Sequence, residues 1–314
     1  MTIKLPYIRI HPTTEVRGLS AMNSCKVVSL DLLLGILFGV ISMIGFGAQD
    51  FVMARASRRI GAFKTSLWFM AVALGLMALL SVFFFTSITL TATVLLVLLL
   101  ASLLSLIGLV SFNKGLRVGN ISVVATLGNV WGAVTAVLGI VLLGERITLL
   151  QVFSISLIIV GTIMVSLKLK GMLRGQGHVG KGVQFAVITL FSWGIYYFLL
   201  GALVKDIGWF DTAFLTTLIT VALFVVYGIA TSSEMGIRRI DVPILFFIGI
   251  LSFFGFLAYN LGVSYNYTSI VAPISSASPI ITILLALLLL KERLSTSQQA
   301  GIALVLIGLI ALSI

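Results

Sequence analysis

The chain has 314 residues, of which 60% are hydrophobic and 9% charged, with a net charge of +11 and a mean hydropathy of +1.23. An ordinary soluble domain is about a quarter charged, so this composition excludes a water-soluble fold and points to membrane helices, each needing about 20 apolar residues. The positive excess lies in short connections between apolar runs, which signals topology and contact with anionic membrane lipids; nucleic acid is not an expected partner.

Residues 1–29 read as a mobile extension, because Pro6, Pro12 and the scattered charges Lys4, Arg9, Glu15, Arg17 and Lys26 leave no apolar pattern. Met22 is a candidate alternative start. A cleaved signal peptide would require an early apolar core of about 7–15 residues, and the first apolar run begins only near Val27. The lone Cys25 permits no internal disulfide, and His11 and His178 lie outside the apolar runs, so neither a metal site nor a cofactor is expected.

Eight stretches then follow without Asp, Glu, Lys or Arg: 32–49, 65–113, 118–144, 147–167, 182–204, 212–233, 242–290 and 294–314. Six are one helix long. The stretches 65–113 and 242–290 each hold 49 residues (113 − 65 + 1 and 290 − 242 + 1), enough for two helices. Polar clusters place the connections, at Thr86, Ser87, Thr89 and Thr91 in one and at Tyr265, Asn266, Tyr267 and Thr268 in the other. The expected fold is therefore an all-α membrane protein of ten transmembrane helices. A transmembrane β-barrel is excluded, because its strands alternate polar and apolar residues while these runs are apolar on every face.

Shifting the chain by 147 residues aligns it with itself without a gap. Gly144-Glu145-Arg146 meets Lys291-Glu292-Arg293 (292 − 145 = 147), Asn113 and Gly115 meet Asn260 and Gly262, and Gly47 and Gly61 meet Gly194 and Gly208. A single register held through glycine and polar positions marks a duplication. Repeat one is 30–167 with helices one to five, 168–181 is the inter-repeat loop, and repeat two is 182–314 with helices six to ten. Five is odd, so the second repeat enters the membrane from the opposite side. Inverted repeats of this kind suit alternating access around a shared site.

Five-helix repeats that end in a Gly-Glu-Arg or Lys-Glu-Arg turn and a last glycine-containing helix resemble the EamA family of the drug/metabolite transporter superfamily, over roughly 30–314. The resemblance implies a ten-helix carrier, often an exporter of amino acids or other metabolites, with helices one, three, four, six, eight and nine around a central cavity. It implies cytoplasmic termini as well.

On helix four Ser122, Ala125, Gly128, Asn129, Gly132 and Thr135 share a face, and Ser269, Ala272, Ser275, Ser276, Pro279 and Thr282 repeat the pattern on helix nine. The small residues suit close helix packing. Asn129 and Ser276 (276 − 129 = 147) carry polar groups that lipid cannot satisfy, which favours a wet cavity. On helix one Ser42, Phe46, Gln49 and Asp50 align with Thr189, Trp193, Tyr196 and Tyr197 of helix six; Trp193 sits mid-helix, away from the interface where tryptophan usually anchors. Gln49, Asn129, Trp193, Tyr196, Tyr197 and Ser276 are accordingly the candidate substrate-binding residues. Tyr259, Asn260, Phe112 and Asn113 are secondary candidates. Leu98 reads as lipid-facing.

No Lys or Arg lies within an apolar helix, and every carboxylate sits at a segment end or in a loop. Asp50, at the end of helix one, reads as an interfacial aspartate paired with Arg55, Arg58 or Arg59, with proton coupling as the alternative. Glu145-Arg146 and Glu292-Arg293 read as turn residues that cap helix ends and anchor at headgroups. The chain holds no His-Glu-x-x-His, nucleophile elbow or phosphate-binding loop, so it is not expected to be an enzyme. Its expected function is carriage of a small neutral or zwitterionic metabolite across the plasma membrane, in the direction of export, with a passive facilitator or channel as the alternative. Nothing in the sequence specifies an oligomeric state. Basic residues gather in the odd-numbered loops, which by the positive-inside rule puts both termini outside, against the expectation carried by the resemblance.

Overall fold

The protein is described by a computed structural model covering residues 20–86, 90–118, 121–166, 179–290 and 295–313. Runs that are apolar on all faces satisfy their backbone groups internally as helices, and no strand occurs among the described residues. In chain order the helices are α1 (Ser20–Ile60), α2 (Ala62–Phe84), α3 (Ala92–Val118), α4 (Ile121–Asn129), α5 (Trp131–Leu142), α6 (Leu149–Ser166), α7 (Val179–Ile207), α8 (Trp209–Ala230), α9 (Val242–Tyr265), α10 (Thr268–Ser276), α11 (Pro279–Leu290) and α12 (Thr296–Leu312). α1 begins at Ser20, inside the segment expected as an extension; residues 1–19, most of the inter-repeat loop and Lys291, Glu292 and Arg293 lie outside the described residues. Eight helices are long and apolar enough to cross a membrane, and two further apolar segments, Leu127–Leu142 and Thr296–Leu312, are shorter.

The two long charge-free stretches do divide at their polar clusters, between α2 and α3 and between α9 and α10. α1 turns into α2 through the single residue Gly61, and α7 turns into α8 through Gly208. Their φ values of +100° and +87° are open to glycine and costly for other residues, which is why the 147-residue register preserves glycine there.

Packing obeys the same register. α1 lies on α9 and α3 on α7; α2 also lies on α9 and α8 on α3; α6 crosses α12. Adding 147 to one partner and subtracting it from the other turns each contact into its mate. Thr135 Oγ1 donates to the Gly194 carbonyl at 2.8 Å, and Thr282 Oγ1 donates to the Gly47 carbonyl at 2.9 Å (135 + 147 = 282, 194 − 147 = 47). Gly108 faces the Trp193 ring and Gly255 the Phe46 ring; Gly161 abuts the Gly301 carbonyl and Gly308 the Ser154 carbonyl. An operation that carries repeat one onto repeat two and returns repeat two to repeat one is a two-fold rotation.

Register position 64 keeps its role and reverses its charge. Lys64 at the start of α2 pairs with Glu234 at 2.5 Å, and the ammonium holds that exposed carboxyl below the usual carboxylate range. Its equivalent Asp211 (64 + 147) at the start of α8 accepts from the Thr86 hydroxyl. Each ties the start of one repeat's second helix to the loop that follows the other repeat's second helix.

The paired threonine bonds are one place to test this scaffold. Side-chain bonds between membrane helices are worth about 0.6 kcal/mol on average and up to about 1.7, so Thr135→Val and Thr282→Val each lower the unfolding free energy by about 1 kcal/mol. The double variant loses the sum, because the two sites share no partner. Thermal unfolding in detergent reads this out, and a single variant as costly as the pair would contradict the two-fold equivalence.

One assignment made from the sequence is corrected. Leu98 is 1% exposed and packs with Val94, Leu203 and Ile207 at the α3–α7 contact, not toward lipid. An unbroken apolar helix carries no polar stripe from which to tell its lipid face from its packed one. Leu96, 66% exposed, does face outward.

Candidate functional site

The fourth and ninth apolar segments are each broken in two, at equivalent positions. α4 stops at Asn129 and α5 starts at Trp131; α10 stops at Ser276 and α11 starts at Pro279. Val130 (φ −85°, ψ 11°) and Ala277 (φ −75°, ψ 11°) occupy the same sparsely allowed backbone region (130 + 147 = 277). At both breaks hydrogen bonding tightens to the residue three back, with Val130 N–H on the Leu127 carbonyl at 3.3 Å and Ala277 N–H on the Ile274 carbonyl at 3.1 Å. Pro279 suits the start of α11, where an N–H would find no helical acceptor. Gly132 and Pro279, which belong to the small-residue faces of helices four and nine, each lie two residues past a break.

Around the breaks lies a cavity of about 950 Å³, counting the space at its mouth. Of the residues singled out in the sequence, Gln49, Asp50, Asn129, Trp193, Tyr196 and Tyr197 all line it. Ser276 does not. Its Oγ donates to the Pro273 carbonyl at 3.0 Å, and its side chain packs against Gly132, so the α5–α10 crossing occupies the space that its equivalent Asn129 finds open. Ser278, just past the break, lines the cavity instead.

The walls are largely aromatic. Tyr197 stacks on Trp131 with ring centroids 3.8 Å apart and planes 17° from parallel, and meets Tyr259 edge-on at 4.7 Å. Phe112 lies 5.3 Å from Trp193, and Phe256 stacks on Tyr196 at 6.2 Å. The secondary candidates divide. Phe112 lines the cavity, whereas Tyr259 is fully buried and donates to the Tyr197 carbonyl at 3.1 Å, and Asn260 donates to the Phe256 carbonyl at 2.9 Å.

Asp50 is the acidic residue of the lining, and the expected pairing with nearby arginines is not observed. The Arg55 guanidinium lies over the Phe51 ring at 5.1 Å, and Arg59 binds Asp241 at 2.7 Å. Asp50 has neither ion pair nor hydrogen bond among the described residues, because its side chain points inward from α1 while the arginines follow the outer face. Beside it Gln49 Oε1 is buried without a hydrogen-bond partner among the described residues. Among the described residues no Lys or Arg lines the cavity.

Trp131, Phe256, Ser105, Ser252 and Thr217 belong to the lining and were not singled out in the sequence. A helical wheel drawn straight through the break misplaces Trp131. Ser105 and Ser252 are a register pair (105 + 147 = 252), a signal that was present and unused. The resemblance also left helix two out of the lining, yet α2 contributes Phe69, Met70, Ala73 and Met77.

The cavity is one-sided. Its lining extends to Met53 of α1, Phe69 of α2 and Phe112 of α3, each in the half of its helix nearer the face that carries Arg58 and Arg59. Toward the opposite face, Leu200 and Tyr259, the equivalents of Met53 and Phe112, are 0% exposed. There α5 packs on α10, while the equivalent pair α4 and α11 has no such packing among the described residues.

Glu145 lies at that opposite face. Its buried carboxylate accepts the N–H groups of Thr268 at 2.9 Å and Ser269 at 2.8 Å, and Lys205 lies 3.3 Å away. It caps a helix end, as a turn glutamate was expected to, but the helix belongs to the other repeat. Arg146 beside it is exposed.

The EamA-like transporter family matches this chain twice, over residues 33–167 and 180–314, two segments offset by 147 residues at both ends. An uncharacterised protein of Methanocaldococcus jannaschii is 54% identical over 46 residues, which is 15% of this chain and 34% of that protein. A solved crystal structure with 14% sequence identity superposes with a TM-score of 0.75, covering 88% of this chain and 95% of its own, a likeness of fold.

Proposed function

Because the chain belongs to the EamA-like transporter family, and is thus an integral multi-pass membrane transporter of the drug/metabolite superfamily, we propose that it carries a small zwitterionic or neutral metabolite by alternating access. On this reading all ten apolar segments span the membrane, including the two short ones. The two-fold axis then lies in the membrane plane, because a five-span repeat reverses the entry side of the next.

One observation carries the proposal: a scaffold with two-fold packing holds a cavity open toward one face only. A channel built on the same symmetry would open equally toward both. By the positive-inside rule the open face, with Arg58 and Arg59, is cytoplasmic, and the termini are outside. A cysteine added after Ile314 and labelled by an impermeant reagent in intact cells checks this orientation; protection of that cysteine would overturn it.

The lining supports an amino-acid-like zwitterion over other small metabolites. An ammonium group pairs with Asp50, gains an acceptor in Gln49 Oε1 and meets the electron-rich faces of the surrounding rings. A carboxylate is favoured at the helix N-terminal ends that the two breaks present beside Trp131 and Ser278. A lone anion would face Asp50 with no basic side chain from the lining to offset it. Export is the direction this reading favours, because a cavity exposed to the cytoplasm suits loading there and release outside the plasma membrane.

A ligand that binds the native state raises its melting temperature, by an amount corresponding to about 2.7 kcal/mol at a hundredfold excess over Kd. A screen of purified protein against amino acids, amines and carboxylates should therefore single out zwitterions. Proteoliposomes preloaded with the best ligand should then show saturable counterflow. Linear, non-saturating flux would make the protein a facilitator instead.

A further inference from the structure

Glu145 sits where the sealed half of the cavity would open. Its side chain is 1% exposed, and it joins three parts of the chain: the α5–α6 turn of repeat one, the first N–H groups of α10, and Lys205 near the end of α7, the last two both in repeat two. Gly139 passes so close that a Cβ there would lie 2.6 Å from Glu145 Oε2. Beneath this junction lie the packed equivalents of the open lining, Leu200 for Met53, Tyr259 for Phe112 and Ser276 for Asn129.

We infer that Glu145 is the clasp of the closed face: it holds the N-terminal end of α10 against α5 and α7, and its release is the step that exposes Ser276 and Leu200 to the opposite side. The inference rests on the alternating-access reading and adds to it the residue that sets which face is shut.

The chemistry of the junction favours a reversible latch. A carboxylate accepts at both oxygens, so it satisfies two N–H groups that an uncapped helix start would leave unbonded, and its charge is favoured at that end of the helix dipole. Lys205 is 43% exposed on its side chain and reaches the carboxylate from the rim. If α10 leaves, its N–H groups and the carboxylate emerge at a membrane face where water replaces the lost bonds. The same bonds in the bilayer centre would have no such replacement. A glutamine at 145 keeps the shape, but its NH2 meets one backbone donor with another donor. Bonds to charged groups are the stronger ones, so removing the charge shifts the balance between closed and open by roughly tenfold or more.

The test uses purified full-length protein in detergent, where both faces are accessible, with Cys25→Ser as background. A hydrophilic maleimide reports on Ser276→Cys in the sealed half and, in a separate protein, on Met53→Cys at the open mouth. With Glu145 intact, the cysteine at 276 is protected and that at 53 reacts. Adding Glu145→Gln should speed labelling at 276 by roughly tenfold and slow it at 53, because one face opens as the other closes. A merely structural role would loosen the protein and raise both rates together; that result, or an unchanged rate at 276, overturns the inference. Should Glu145→Gln fail to fold, Lys205→Met, which keeps the two backbone bonds, should give the same reciprocal shift at smaller size, and its absence is equally decisive. Labelling needs no substrate, so a failed clasp leaves saturable counterflow standing, and a failed transport assay leaves the labelling result unchanged.

Discussion

Replacing Asp50 with asparagine is expected to weaken substrate binding and counterflow by about a hundredfold while leaving the melting temperature equal to or above that of the parent protein. The two halves of this result have one cause. Asp50 faces the cavity with no cationic partner among the described residues, so its charge is available to a ligand and stabilises nothing in the ligand-free fold. Losing one member of a buried, hydrogen-bonded charge pair costs about 2–5 kcal/mol of binding, and about 2.7 kcal/mol is a factor of a hundred. The free protein meanwhile loses an uncompensated carboxylate, a change that is neutral or favourable to stability. Had Asp50 been tied to Arg55, Arg58 or Arg59, the variant would lose stability instead. A melting temperature lowered by several degrees with binding unchanged would return Asp50 to a structural role.

The second large effect is expected where helix backbones touch. A Cβ added at Gly161 would lie 2.7 Å from the Gly301 carbonyl oxygen and 2.7 Å from a Val305 methyl, and a Cβ at Gly301 would meet the Gly161 carbonyl at the same distance. A backbone oxygen inside a helix cannot rotate away, so the α6–α12 crossing must widen along its length. Gly161→Val should cost about 3 kcal/mol, the upper end for overpacking, and lower the melting temperature by about 6–12 °C on the scale of proteins somewhat smaller than this one. Gly75→Val is the control, because no atom lies within 4 Å of its added Cβ and the position is exposed. Equal melting of the two variants would mean that α6 and α12 are not held by this contact.

The architecture was legible because it is written in long-range, redundant signals. Apolar runs set the helices, and the 147-residue offset recurs in glycine turns, in the reciprocal threonine bonds and in the family match itself. Most of the candidate residues reached the lining for a simpler reason: a polar or aromatic side chain mid-helix has few satisfactory places in a membrane protein, and Gln49, Asn129, Trp193, Tyr196 and Tyr197 found one. Three placements differ in the structure, each for its own reason. Asp50 was assigned by its distance in sequence from the arginines, which does not reveal that it points to the other side of α1. Ser276 was placed by a face drawn along an unbroken helix, whereas it sits at the break itself and packs against Gly132 where α5 crosses α10. Leu98 offered no polarity contrast from which to orient it.

The two-fold pattern of packing has an energetic corollary. Were the repeats identical in sequence, any asymmetric arrangement and the arrangement obtained by interchanging the repeats would have equal energy, and the molecule would divide itself evenly between them. Whatever preference it has must come from positions where the copies disagree: Asn129 against Ser276, Trp131 against Ser278, Phe112 against Tyr259, Trp193 against Phe46. Divergence after duplication therefore lifts a degeneracy. The bias between the two arrangements belongs to a short set of mismatched side chains, separable from the fold and open to adjustment one substitution at a time.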